Sequence, residues 1–189
     1  MDYRKGLTKM DFNLDDLFAK MEADSKFESV LYFPKKGDNC LLALLPPMEH
    51  DGEHKLALVV EGEFKGKKTK QFILRCIKWS IVGGKVDSAN PQYVGIVLSP
   101  TYVQQIANAK SKEFQLATQE CHFIELAKSE KTILTFRPTI KKIPDEIWNA
   151  GLEKPTWAEL LKANEDAKQA FAKKSDGKDT KAETSPWDE

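Results

Sequence analysis

From residue 28 to residue 143 the chain is a succession of short apolar runs, each broken by Gly, Pro, Asp or Asn. Runs of that length, rich in β-branched and aromatic residues, read as strands rather than helices. Strands are expected at 29–33, 39–45, 55–62, 70–80, 92–99, 120–127 and 132–140. Pro34-Lys35-Lys36-Gly37-Asp38 and Pro46-Pro47 read as turns, 63–69 as a charged hairpin loop with Gly66 at its tip, and 81–91 as a longer loop. One helix interrupts the strands. Pro100-Thr101 opens it, Tyr102, Val103, Ile106 and Ala107 form its apolar face, and it ends near Ser111.

The ends of the chain have a different rhythm. Residues 11–25 read as a short amphipathic helix capped by Asn13, with Leu14, Leu17, Phe18 and Met21 on one side. After Pro144 a short helix over 145–149 is expected to stop at Gly151. Thr156 and Glu159 have capping-box spacing and open a helix to about residue 173, with Trp157, Leu160, Leu161, Ala167 and Phe171 in one stripe. The composition of 175–189 predicts a disordered tail. The pattern divides the chain into an N-terminal arm and short helix (1–27), a barrel (28–143), a helical segment (144–174) and an acidic tail (175–189). The expected class is mainly β: an OB-type β-barrel with an inserted short helix, an N-terminal helix and a C-terminal helix. An SH3-like barrel or a sandwich fits the same pattern.

The 29 basic and 29 acidic residues give a formal net charge of zero, which at first argues against a polyanionic partner. The charges are not evenly spread. Residues 1–27 carry five basic and six acidic residues, 28–143 carry 17 and 12, and 144–189 carry seven and 11. From Phe64 to Lys85 there are seven cations and no acid. A basic middle with an acidic tail points to a polyanion in the barrel. No apolar run approaches the ~20 residues of a bilayer-spanning helix. Three scattered cysteines, Cys40, Cys76 and Cys121, without a CxxC pair, fit a reducing cytoplasm.

The residues do not assemble a catalytic pattern. There is no G-x-S-x-G, no P-loop and no G-x-G-x-x-G. His50 and His54 have helical zinc spacing, but Asp51-Gly52-Glu53 between them reads as a turn. Cys121 and His122 would point to opposite faces of a strand. Asp15 and Asp16 suit the first turn of a solvated helix. The expectation is a non-enzymatic protein with no cofactor and no metal.

Single-strand binding needs cations that track phosphates and aromatic faces that stack bases. The sequence interleaves the two. Tyr32 leads into Lys35 and Lys36; Phe64 leads into Lys65, Lys67, Lys68 and Lys70; Phe72, Arg75, Lys78 and Trp79 share one strand; Phe136-Arg137 leads into Lys141. The expected phosphate contacts are Lys35, Lys36, Lys65, Lys67, Lys68, Lys70, Arg75, Lys78, Arg137 and Lys141. The stacking candidates are Tyr32, Phe64, Phe72, Trp79 and Tyr93. On the 70–80 strand neither face is purely apolar, so this strand is expected where the barrel meets solvent. In the tail, Trp187, Asp188 and Glu189 form an apolar and acidic terminus suited to a basic pocket on a partner, or to folding back onto the groove.

The stretch 32–47, Tyr-Phe-Pro-Lys-Lys-Gly-Asp-Asn-Cys-Leu-Leu-Ala-Leu-Leu-Pro-Pro, resembles the opening strand pair of phage single-stranded DNA-binding proteins. Gln92-Tyr-Val-Gly-Ile-Val-Leu-Ser-Pro100 is similar to their middle section, and Lys131-Thr-Ile-Leu-Thr-Phe-Arg-Pro138 to their closing strand. The likeness covers about residues 28–143. It implies an OB-fold that coats and protects single-stranded DNA during phage or bacterial replication, recombination and repair, in the host cytoplasm if phage-encoded, with replication or recombination proteins recruited through the tail. The T-even relatives' zinc-binding Cys/His cluster is not matched here, so zinc is not implied. Two other readings stay open. One is a protein-interaction or adaptor module that docks through the C-terminal helix. The other is an RNA-binding OB-fold protein, which the 2′-OH would distinguish.

Overall fold

The structure is a computed structural model that describes residues 30–64, 67–110, 114–128 and 132–176. The helix expected at 11–25, Lys65, and Trp187, Asp188 and Glu189 of the tail lie outside the described residues. The strands are β1 (Leu31–Tyr32), β2 (Asn39–Leu44), β3 (Met48–His50), β4 (Glu53–Lys55), β5 (Ala57–Phe64), β6 (Lys67–Val82), β7 (Lys85–Val86), β8 (Gln92–Leu98), β9 (Glu120–Lys128) and β10 (Thr132–Lys142). The helices are α1 (Pro100–Lys110), α2 (Asp145–Glu153) and α3 (Trp157–Asp176). The chain is therefore mainly β.

The large sheet runs β1-β8-β6-β2-β9-β10. β6 is its organising strand. One edge pairs with β8 from Phe72 to Lys78; the other pairs with β5 up to Leu74 and with β2 from Cys76 to Ser80. β2 and β5 thus follow one another along the same edge, separated by the β3–β4 hairpin. Its Asp51 and Gly52 both have positive φ, 52° and 79°, as a two-residue primed turn requires. Among the described residues all pairings are antiparallel except β1 with β8. Among the described residues β1 and β10 do not pair, so the mixed sheet is open.

The loop expected over 81–91 is partly ordered as strand. β6 runs on to Val82, and Gly83 and Gly84, with φ of 57° and 76°, turn the chain back into β7. The longer strand also overturns the expected solvent boundary. Ile73, Leu74, Arg75, Cys76 and Ile77 are all buried, so both faces of β6 are covered. On one face Leu74 and Cys76 pack with Cys40, Leu42 and Ile96 beneath Ile106 of α1. On the other, Ile77 and Trp79 pack with Phe123 and Trp148 of α2, and Ile73 packs with Trp157 and Leu160 of α3. Each such aliphatic side chain contributes about 1.5–3 kcal/mol on burial.

The C-terminal helices are the second cover of the sheet. α3 begins with the expected capping box: Glu159 N–H donates to Thr156 Oγ1 (3.3 Å), and Glu159 Oε2 accepts from the Thr156 backbone N–H (2.8 Å). The Trp157 indole N–H donates to Met48 O (3.0 Å). Trp157 and Leu160 are spent on the chain's own sheet, so the start of the stripe expected to dock a partner is occupied. Gly151 does not end α2, which continues to Glu153. The glycine is there for close approach: a Cβ at 151 would lie 2.8 Å from Leu45 Cδ2.

Candidate nucleic-acid interface

Two expected site residues belong to the interior. The Arg75 guanidinium is buried, with Nε donating to Pro155 O (2.7 Å) and Nη2 to Gly151 O (2.8 Å) and Leu152 O (3.0 Å). These carbonyls close α2 and open the turn to α3, where the helix dipole favours a cation. Burial lowers the Arg75 pKa from its ordinary value, and the carbonyls supply the compensation. Arg75 is therefore a structural clamp and not a phosphate contact. Trp79 is only 5% exposed and meets Phe123 edge-on at 5.7 Å, so it stacks on protein and not on a base. Both faces of β6 contain a mixture of residue types, and the α2–α3 cover turns the Arg75 face inward.

Lys67, Lys68 and Lys70 are exposed on the β5–β6 ribbon, which runs beyond the stretch of β6 paired with β8. Among the described carboxylates only Glu61 comes within 4 Å of these cations, at 3.9 Å from Lys68. A pair so exposed holds its partners weakly. Phe64 ends β5 opposite Lys67 in register. Phe72 is half-buried at the edge of the α1-side core.

The β1–β2 turn presents Lys35 and Lys36 to solvent. Asp38 shapes it by accepting from the Lys35 backbone N–H (2.7 Å) and from the Tyr32 hydroxyl (2.9 Å). Gly37, at φ 92°, donates its N–H to Lys128 O (2.5 Å), and Lys128 Nζ donates to Pro34 O (2.6 Å). The turn is thus fixed to the end of β9. Arg137 sits at the irregularity in β10 between Phe136 and Ile140 and pairs with Glu125 at 3.0 Å. A phosphate there would have to compete with that carboxylate. Lys141 is exposed on β10.

The structure brings Tyr32, Lys78 and Tyr93 to one cleft. Lys78 Nζ lies 4.8 Å from the Tyr32 ring centroid and donates to Gln92 Oε1 at 2.5 Å. The Tyr32 hydroxyl pKa is raised, first by burial and then by Cys40 and Asp38 nearby. Burial also raises Tyr93. Gln92 and Lys154, which line the same cleft, carry no sequence signal that would have marked them. The remaining expected cations lie on separate elements: the β1–β2 turn, the β5–β6 ribbon and β10.

His50 and His54 stand on β3 and β4 of the hairpin, and among the described residues no three His, Cys, Asp or Glu side chains gather as metal ligands. Cys40, Cys76 and Cys121 are buried free thiols. Among the described residues no helix is long and apolar enough to cross a membrane. No protein-family model, curated protein or solved structure matches this chain.

Proposed function

We propose that this chain is a non-enzymatic, non-sequence-specific single-stranded DNA-binding protein built on an OB-type sheet. The observation that carries the reading lies on β6. This acid-free strand has Lys70 beside Phe72 near one end and Lys78 over Tyr32 near the other, at the two margins of a face whose middle, Leu74 and Cys76, is buried beneath α1. Cations beside aromatic rings are what a strand of phosphates and bases requires. Lys35, Lys36, Lys67, Lys68, Lys70, Lys78 and Lys141 would take phosphates, and Tyr32, Phe72 and Tyr93 would take bases. Arg75 and Trp79 drop out.

The strand order supports the fold half of the proposal. β2 with β5, then β6, β8, α1, β9 and β10 gives five principal strands, with the helix between the third and fourth. An OB-fold is a five-stranded, partly open Greek-key barrel. The acidic segment after residue 176 would compete for the same cations. The test is anisotropy of a labelled oligo-dT against wild-type protein at several salt concentrations, with a duplex of equal length beside it. Tight, salt-sensitive binding to the single strand alone is expected. No binding, or equal affinity for duplex, refutes the proposal; preference for the matched RNA moves it to an RNA-binding protein.

A further inference from the structure

A cleft of about 350 Å³ wraps the outer edge of β8 where β1 begins. β1 pairs only with Gly95 and Ile96, so the cleft flanks the part of β8 that precedes that ladder. Pro91, Tyr93 and Pro155 supply apolar wall, and Lys78, Lys154 and Glu159 supply charge. The volume is near the lower end of the ~300–1,000 Å³ typical of small-ligand sites, enough for one compact molecule.

The charges select an anion. Two ammoniums stand against one carboxylate: Glu159, bonded by the Thr156 N–H and hydroxyl (2.8 and 3.1 Å) and attracted by Lys154, has its pKa below the usual carboxylate range and stays ionised, which leaves Lys78 as the cation of the cleft with no described carboxylate beside it. Lys78 is half-buried, and its described partners are neutral: the Gln92 amide oxygen and the Tyr32 ring. No described carboxylate lies within 4 Å of its ammonium. A cation kept partly out of water without a counter-charge is costly unless a ligand supplies one. Lys154 adds a second cation at the same cleft, one that a phosphate would share with the Glu159 carboxylate.

We propose that this cleft seats one nucleotide of the bound strand, with its phosphate on Lys78 and Lys154 and its base against Pro91, Tyr93 and Pro155. The inference rests on the single-strand reading above and gives that reading one defined subsite, distinct from the β5–β6 ribbon. Apolar walls and ring faces accept any base, which suits binding without sequence preference.

The experiment uses full-length protein and oligo-dT containing one 5-iodouracil. Ultraviolet crosslinking followed by peptide mass spectrometry should place adducts at Tyr93 or Tyr32. In parallel, Lys78→Met should weaken oligo-dT binding about tenfold, the scale of one charge-assisted contact. It should also reduce the salt slope by about 0.7, as one lost phosphate contact predicts. A urea midpoint near that of the wild type would show that Lys78→Met is folded; if it is not, crosslinking of the wild type decides alone. Crosslinks confined to the β5–β6 ribbon, or a folded Lys78→Met variant with wild-type affinity and slope, would overturn the subsite while leaving the single-strand reading standing. Wild-type protein that binds no oligonucleotide would remove both.

Discussion

Replacing Arg75 by methionine keeps the side chain's apolar stem and removes every donor. Four carbonyl oxygens then lose their partner: Pro155 O, Gly151 O, Leu152 O and Pro46 O, now at 2.7, 2.8, 3.0 and 3.5 Å from the guanidinium. The contacts to Pro155 and Gly151 are fully buried, so water does not replace them freely. A buried unsatisfied acceptor costs about 1–3 kcal/mol, which puts the gross loss near 2–6 kcal/mol for those two. Removing the charge recovers part of its desolvation cost, so the net loss is about 3–4 kcal/mol. That is a large share of the roughly 5–15 kcal/mol that holds a domain together. With an m value near 2 kcal/mol/M, the urea midpoint should fall by about 1.5–2 M. The assay is urea unfolding followed by tryptophan fluorescence, with oligo-dT affinity measured on the same preparation at low urea. Arg75→Lys, with one compact donor head in place of the planar fork, should fall between wild type and Arg75→Met. A loss below about 1 kcal/mol would refute the clamp. Unchanged stability with weakened oligonucleotide binding would return Arg75 to the nucleic-acid surface.

Gly95→Ala would push a Cβ to 2.5 Å from Leu160 Cδ2 and 2.8 Å from Ile73 Cγ2, both in the core. It should cost about 1–3 kcal/mol in urea unfolding. Gly151→Ala should cost less, because about 1 kcal/mol of gained helix propensity offsets its clash; the reverse order would contradict the packing of α3 on β8. Glu159 has its pKa depressed by the Thr156 N–H and hydroxyl, so its contribution is present above the ordinary carboxylate pKa and lost as pH falls through the lower folded value. The urea-midpoint gap between wild type and Glu159→Gln should therefore narrow below pH 4, and a constant gap would rule out the capping carboxylate. Burial pushes the Cys121 thiol up to about 11, so its contribution is complete below the unfolded value near 9 and is lost as pH rises toward 11. Native protein should resist alkylation at pH 8, whereas rapid labelling of Cys121 would contradict its burial.

Local chemistry made much of the fold readable. The apolar runs beginning at Asn39 and Gln92 became β2 and β8, and the Thr156–Glu159 spacing became a capping box. Alternation correctly separated Leu74 and Cys76 from Ile73, Arg75 and Ile77, but it says only which residues share a face. Whether a face is wet depends on what lies over it. For Arg75 and Trp79 the cover comes from α2 and α3, far along the chain, so both residues looked like surface. Gly151 followed the common use of glycine as a helix stop, and only the position of Leu45 reveals the close approach. β3 and β4 escaped notice because Met-Glu-His and Glu-His-Lys lack β-branched residues, although the Asp51-Gly52 turn between them was legible. The Tyr32–Lys78 contact was out of reach, since it depends on β1 lying on the far side of β8 from β6.

The central claim, that the β6 lysines of the β5–β6 ribbon bind the phosphates of a single strand, is tested most directly by the salt dependence of oligo-dT affinity. The comparison is wild type against Lys67→Glu, Lys68→Glu and Lys70→Glu combined, all three sites being exposed. At about 0.7 per phosphate contact, losing three should lower the log–log slope by about 2, with affinity falling steeply at low salt. An unchanged slope and affinity would contradict the account.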